Sequence, residues 1–301
     1  MNGFKGRDLV SIGDLTREDI EHILGVAAKM RKAPVFDLCK GSILANCFFE
    51  PSTRTRLSFE AAMHRLGGSI IGFSEPAGTS LKKGESLSDS IRVIGGYADI
   101  LAIRHPLEGS ARLAAEICDK PVINAGDGAN QHPTQTLLDL FSIRECQERI
   151  DDLSIAIAGD LKYGRTVHSL CLALLHYRVR LYFVSPESLP LPEGIVQELR
   201  RKGIKFSFHS ILDEVIPKAD ILYMTRIQKE RMGEIELENT CRLHRNQLEK
   251  AKSNLRILHP LPRVDEIDPA IDSTPYAYYF EQAQNGLYLR MALLALFLGK
   301  L

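Results

Sequence analysis

The sequence predicts an α/β fold of two domains, each a mostly parallel sheet flanked by helices. Three observations carry that prediction. Short apolar runs with the length of buried strands alternate with longer stretches whose apolar residues recur at helical spacing. The strand–helix alternation repeats along the chain, as in parallel sheets joined by crossover helices. And 301 residues suit two domains or one large α/β domain.

The first helix is signalled by Asp14-Leu15-Thr16 followed by Glu18-Asp19, with Ile20, Ile23, Leu24, Ala27 and Ala28 on one apolar face. Ile43 to Phe49 reads as a buried strand, Leu57 to Leu66 as a helix closed by Gly67-Gly68, and Ser69 to Phe73 as a short strand. A helix over 88–97 leads to the strand Ile100 to Ile103, and a helix over 110–118 to the strand Val122 to Ala125. The turn Gly126-Asp127-Gly128 follows, then a helix over 136–148. A second series has strands at 153–158, 179–184, 205–208 and 221–224, with a helix over 166–176 after the first of them. Arg256-Ile257-Leu258 runs into the proline-stiffened turn His259-Pro260-Leu261-Pro262-Arg263. The last element is a long helix over 278–298, buried through Leu287, Leu289, Leu293, Leu294 and Phe297.

The most informative stretch is Glu50-Pro51-Ser52-Thr53-Arg54-Thr55-Arg56, between a strand and a helix. Helix N-termini carry unpaired N–H groups and a positive dipole end, so acidic residues are the favoured occupants. Two hydroxyls and two guanidiniums there point instead to an oxyanion ligand, phosphate above all. The plainer alternative, Ser52 or Thr53 as an N-cap with solvated arginines, is the weaker explanation of Arg54 and Arg56 together. Ligands of open α/β sheets bind beyond the C-terminal strand ends. Arg54, Arg104 and His132 fall at such ends, and so does Arg226 in the second series. His132, before a proline at a helix start, also suits a simple turn cap. The polar stretch Glu75 to Glu85, with Ser80, Lys82 and Lys83, reads equally as a surface loop or an anion-binding lid. Glycines in Gly159 to Gly164 hint at a nucleotide loop, but the G-x-G-x-x-G spacing is absent.

Composition narrows the class. Lys+Arg and Asp+Glu are both 38, so the formal net charge is zero and neither nucleic acid nor an anionic membrane is the expected partner. Six cysteines without a Cys-x-x-Cys pair fit reduced thiols in a cytoplasmic protein better than disulfides or zinc. Met1 to Val10 is polar, with no apolar signal core, and no apolar run is long enough to span a bilayer.

Phe49-Glu50-Pro51-Ser52-Thr53-Arg54-Thr55-Arg56, His132-Pro133-Thr134-Gln135 and His259-Pro260-Leu261-Pro262-Arg263 resemble, in order, the signature motifs of the aspartate/ornithine carbamoyltransferase family. The resemblance covers nearly the whole chain. Pro260 stands where ornithine-specific members carry Cys, and their Ser-Met-Gly loop is missing, so the resemblance is to the aspartate-specific branch. It implies transfer of the carbamoyl group of carbamoyl phosphate to the α-amino group of L-aspartate, a step of pyrimidine biosynthesis, with no metal and no cofactor.

The resemblance also assigns roles. Ser52, Thr53, Arg54, Thr55 and Arg104 would hold the phosphate, and Thr55, Arg104 and His132 would face the carbamoyl oxygen. Gln135 would meet the carbamoyl amide, and Leu261 and Pro262 would offer backbone carbonyls. Arg165, Arg226 and Gln228 would hold the aspartate carboxylates. Ser80 and Lys83 would arrive from a neighbouring subunit of a homotrimer, with Lys83 directed at aspartate. Residues 1–133 with 285–301 would form the carbamoyl-phosphate domain and 134–284 the aspartate domain. The charged segment 225–252 resembles that of catalytic chains that associate with a zinc-bearing regulatory chain. Glu50 and Arg231 suit either surface positions or an ion pair linking the domains, the second being favoured. The rivals are a carbamoyltransferase for another amine, a nucleotide-dependent Rossmann enzyme, and an inactive anion-binding assembly subunit.

Overall fold

The structure is a computed structural model and describes residues 3–33, 35–74, 83–227 and 241–301. Ser80, Gln228 and Arg231 lie outside the described residues. The chain forms two compact units, Met1–Phe141 with Gln284–Leu301, and Ser142–Ala283.

The first unit opens on α1 (Arg17–Lys32), whose N-terminus is a reciprocal capping box. Thr16 Oγ1 accepts the Asp19 N–H at 3.1 Å, and the Asp19 carboxylate accepts the Thr16 N–H at 3.2 Å. Its buried face is Ile20, Ile23, Leu24, Val26, Ala27 and Met30, whereas Ala28 is only half-buried. Then come β1 (Ile43–Phe48), α2 (Thr53–Arg65), β2 (Ser69–Phe73), α3 (Leu87–Gly95), β3 (Ile100–His105), α4 (Ser110–Ile117), β4 (Val122–Asp127) and α5 (Pro133–Gln147). The four strands pair in parallel in the order β2-β1-β3-β4. From Leu44 onward β1 is buried at every position, as expected of a strand covered on both faces. Leu9 extends the sheet by donating to the Val122 carbonyl and accepting from Asn124.

One difference from the sequence expectation matters for function. Gly126 and Asp127, expected in a turn, belong to β4. Ile103 pairs with Asn124 but His105 with Asp127, so β4 bulges opposite Arg104. Bulges re-aim side chains where regular pleating would not. Expected helix limits shifted by up to four residues elsewhere: α2 starts at Thr53, and α5 at Pro133, since proline fits the first helical position.

The second unit contains β5 (Ser154–Ala158), α6 (Arg165–Leu174), β6 (Arg180–Val184), α7 (Glu193–Arg201), β7 (Lys205–His209), β8 (Ile221–Met224) and β9 (Arg256–Leu258). Its five strands are parallel in the order β7-β6-β5-β8-β9. A core of Ala156, Val184, Leu222, Met224, Leu243, Ile257 and Tyr279 supports this sheet. α8 (Tyr279–Phe297) ends the chain; Leu289, Leu293, Leu294 and Phe297 are buried, while Leu287 is half-buried.

Both sheets reverse their strand order once. In the first, the chain leaves β1 for β2 on one side and returns to place β3 on the other. In the second, β5 is flanked by β6 and β8 in the same way. Each reversal opens a crevice at the C-terminal strand ends, the usual ligand position in such sheets.

Candidate active site

At the crevice of the first unit, Ser52 occupies the N-cap position of α2 with extended backbone, yet its hydroxyl makes no capping hydrogen bond. No acidic residue stands in the first turn. The N–H groups of this helix end therefore lack the usual side-chain partner, which makes them donors for an anion. Thr55 is buried and Thr53 and Arg54 are exposed. Although the residue as a whole is exposed, desolvation of its guanidinium, together with the Arg104 charge, pushes Arg54 below its usual pKa. Two cations held this close favour a dianion between them. Arg56 is different: it pairs with Glu60 one turn along α2 at 3.0 Å, and so belongs to a helix-face ion pair.

Arg104 sits at the end of β3 beside the bulge. Its Nη1 donates to the Ala125 carbonyl at 3.4 Å and its Nη2 to Glu50 Oε1 at 2.8 Å. Its Nε–H is buried without a hydrogen-bond partner. Glu50 pairs with Arg104 within its own unit, while the link to Arg231 favoured above falls on a residue outside the described ones. Burial of a guanidinium in this way requires a counter-charge, and Glu50 supplies one.

The bulge is organised by Asp127, which sequence reasoning missed. Its carboxylate accepts from Asn124 Nδ2 at 2.9 Å, the Gly109 N–H at 3.0 Å, the Gln131 N–H at 3.1 Å and Asn130 Nδ2 at 3.1 Å. His132 follows this braced turn, is buried, and has its Nδ1 at 3.4 Å from Thr134 Oγ1. Gln135 is buried in the first turn of α5 and donates from Nε2 to Asp139 Oδ1 at 2.8 Å. Lys83 is exposed.

In the second unit, Gly159 follows β5 with φ of +119°, and a Cβ there would lie 2.1 Å from the Thr225 carbonyl oxygen. Only glycine permits this close approach of the β5 and β8 exits. Asp160 Oδ1 accepts the N–H groups of Lys162 and Tyr163 at 3.1 and 2.8 Å, folding the loop back toward α6. Gly164 then leaves α6 without a side-chain cap, and Arg165 is its first residue, buried. Arg226, half-buried, follows Thr225 at the end of the adjacent strand β8. Thus Arg165 and Arg226 are carried by neighbouring strand exits.

The His259–Arg263 turn leaves β9 with Leu261 at φ of +54° and a cis Leu261–Pro262 bond. Its support also escaped sequence reasoning. His259 Nδ1 accepts the Leu261 N–H at 2.8 Å, and Nε2 contacts Glu266 Oε1 at 2.6 Å. Glu266 Oε2 accepts the N–H groups of Val264 and Asp265 at 3.0 and 3.1 Å. Burial raises the Glu266 carboxyl, but hydrogen bonds from His259 and the backbone outweigh it and hold the carboxyl below its usual pKa. The His259–Glu266 pair therefore fixes both halves of the turn that carries the Leu261 and Pro262 carbonyls.

Nucleophilic cysteine chemistry has no candidate in Cys47, Cys146 or Cys171, since burial pushes these thiols up to about 12. Among the described residues no group of three or more His, Cys, Asp or Glu side chains is arranged to hold a metal ion. No helix among them is long and apolar enough to cross a membrane.

Two parallel sheets with fixed guanidiniums at their switch points define an α/β enzyme that handles small anions. Sequence models of the family agree with that class and specify it. The carbamoyl-phosphate-binding domain of aspartate/ornithine carbamoyltransferases matches residues 7–145, and the Asp/Orn-binding domain matches 151–297. The chain belongs to the aspartate/ornithine carbamoyltransferase family. It is 55% identical to the aspartate carbamoyltransferase catalytic subunit of Chromobacterium violaceum, over 98% of both chains. It resembles the catalytic subunit of M. jannaschii aspartate transcarbamoylase with a TM-score of 0.90 and 51% identity, over 96% of each. A Trypanosoma cruzi aspartate transcarbamoylase, solved with carbamoyl phosphate and aspartate, gives a TM-score of 0.93 at 37% identity over 99% of this chain and 98% of that one.

Proposed function

We propose that the chain transfers the carbamoyl group of carbamoyl phosphate to the α-amino group of L-aspartate, releasing N-carbamoyl-L-aspartate and phosphate. The observation that carries this reading is the acid-free, uncapped N-terminus of α2 beside Arg54 and Arg104. The unit Met1–Phe141 with Gln284–Leu301 takes carbamoyl phosphate, and the unit Ser142–Ala283 takes aspartate.

In this reading Ser52, Thr53, Arg54 and Thr55 hold the phosphate oxygens with the N–H groups of α2. Arginine suits such oxyanions because its planar fork donates two parallel hydrogen bonds. Arg104, His132 and Thr55 donate to the carbonyl oxygen, which gains negative charge as the neutral amine attacks. Donors already in place there stabilise the transition state more than the ground state. Gln135 and the Leu261 and Pro262 carbonyls meet the nitrogens of the reacting groups. Arg165 and Arg226, with Gln228, bind the aspartate carboxylates. The C–N bond forms, the C–O bond electrons leave with phosphate, and the departing phosphate takes the proton that the amine loses. Holding two anions together in reactive geometry supplies much of the acceleration.

The working form is a homotrimer in which Ser80 and Lys83 complete a neighbour's site. Exposed apolar residues on the first unit, Leu57, Ile71 on the edge strand β2, and Val93, support a contact with another copy. A cytoplasmic setting fits six free thiols. Association with a zinc-bearing regulatory chain rests on the resemblance of the segment 225–252 alone.

Phosphate release measured with carbamoyl phosphate and aspartate, ornithine or no amine tests the reaction. Release with aspartate only is expected, and release with ornithine only overturns it. Light scattering at assay concentration should give a trimer, and an active monomer refutes the shared site.

A further inference from the structure

One buried cluster in the first unit has no part in the roles described so far. Asp139 lies one turn beyond Gln135 on α5, fully buried, and its Oδ1 accepts the Gln135 Nε2–H at 2.8 Å. A Gln–Asp pair at this spacing is commonplace on exposed helix surfaces, where it contributes little. Here both side chains are out of solvent, so the direction of the bond is enforced. An ionised carboxylate only accepts, so the amide must offer its NH2 group to it.

The ionised state has its own support. Arg290 on α8 is 3% exposed, and burial brings its guanidinium down to about 10, while the Asp139 charge acts in the opposite sense. A buried cation needs such a counter-charge. Arg290 Nη1 donates to the Gly286 carbonyl at 3.1 Å, and its guanidinium carbon lies 5.2 Å from the centre of the Phe59 ring on α2. Gly286 makes the space, since a Cβ there would meet Arg290 Nη1 at 2.5 Å and Leu138 Cδ2 at 3.3 Å. The cluster thus ties α5 and α8 to the helix that begins at Ser52.

We propose that Asp139 is a positioning residue that sets donor specificity by fixing the orientation of the Gln135 amide. With Nε2 turned toward Asp139, Oε1 is the end of the amide turned away from it, and that end offers a ligand an acceptor. An acceptor at this position rewards an acyl phosphate with N–H beside its carbonyl and gives nothing to one with a methyl group there. Carbamoyl phosphate has the first, acetyl phosphate the second, and the two are otherwise nearly alike in shape and charge. The inference rests on the assignment of carbamoyl phosphate to this unit.

The test compares the dissociation constant of carbamoyl phosphate with those of acetyl phosphate and inorganic phosphate in the full-length protein. In Asp139→Asn the carboxylate becomes an amide that can donate or accept, and the Gln135 amide is free to turn over. Carbamoyl phosphate affinity should fall roughly ten-fold, the size of one hydrogen bond lost in a closed site. Acetyl phosphate and inorganic phosphate affinities should stay unchanged. A role in folding alone would weaken all three together, and that outcome overturns the proposal. Should Asp139→Asn fail to fold, the double variant Asp139→Leu/Arg290→Met removes both charges, an exchange that buried pairs commonly tolerate. The same selective loss is expected there. A wild-type protein that binds carbamoyl and acetyl phosphate equally overturns the reading of the site, and the inference with it. A wild-type preference that survives both variants overturns the inference alone.

Discussion

On the proposed assignment the two units use one topology for two kinds of anion, and the contrast explains why the residues differ. In each, a parallel sheet reverses its strand order and presents arginine at the C-terminal ends of adjacent strands. In each, the helix that opens there has no acidic residue in its first turn and no side-chain cap. The approach to the helix is what differs. The first unit enters α2 from β1 through a short link and offers hydroxyls at Ser52, Thr53 and Thr55 beside Arg54. A phosphate has many acceptor positions, and hydroxyl and N–H donors surround it well. The second unit enters α6 through the glycine-bounded loop 159–164 and brings a buried Arg165 to the first helical position. A planar carboxylate asks for a planar fork, and arginine alone provides that.

The comparison breaks if the two arginine sets fail to divide the substrates. The largest expected effect is that of Arg54→Ala: kcat should fall roughly a thousand-fold, as when a transition-state donor is removed. Urea denaturation should be nearly unchanged, because Arg54 is exposed. Initial rates at saturating substrates and a urea melt check both halves. Next in size, Arg165→Ala or Arg226→Ala should raise KM for aspartate roughly a hundred-fold, the scale of a lost buried charge pair. Binding of carbamoyl phosphate alone, followed by calorimetry, should change little. Equal losses for both substrates in Arg165→Ala would mean that the second unit has no private ligand.

The contrast also separates what was legible in the sequence from what was not. Strands and helices were legible because apolar periodicity is local, and the anion loop was legible because Ser52, Thr53, Arg54 and Thr55 are contiguous. Arg104 and Arg226 were picked out as candidates through topology, each standing at the C-terminal end of a strand. The supports were not found. Glu50 is 54 residues from Arg104, Asp127 gathers donors from both sides of a bulge, and Asp139 acts on Arg290 from about half the chain away. Such partners are chosen by packing between distant segments and leave no spacing to read. Glu266 stands seven residues from His259, and Asp139 four from Gln135, close enough that a search for buried partners of the candidate site residues would have reached them.

The turn at Leu261 sharpens the comparison from the stability side, since a buried His–Glu pair braces it. Glu266→Ala removes the acceptor of two backbone N–H groups and the partner of a buried imidazole. Leaving such groups unsatisfied should cost about 2 kcal/mol. Hydrogen exchange should show the loss in β8 and β9 and not in β1 or β3. Uniform loss over both units would mean that they unfold as one.

The smallest effect expected is a pH dependence at the base of that turn. Arg263 donates both Nη groups to the Asp272 carboxylate, one at 2.5 Å, and Tyr279 adds its hydroxyl. The Arg263 hydrogen bond, more than the opposing effect of burial, holds Asp272 below its usual value of 3.8. A carboxyl whose pKa is lowered by folding contributes stability that is complete above the unfolded value and is lost as pH falls through the folded one. Asp272 is 33% exposed, so solvent screening limits the contribution to about 1 kcal/mol or less. Asp272→Asn should therefore lower the melting temperature by a few degrees at pH 7. The difference should persist down to about pH 4 and shrink below it, as the wild-type carboxyl takes up its proton. A gap that stays constant to lower pH would show that Asp272 serves the turn by shape and not by charge.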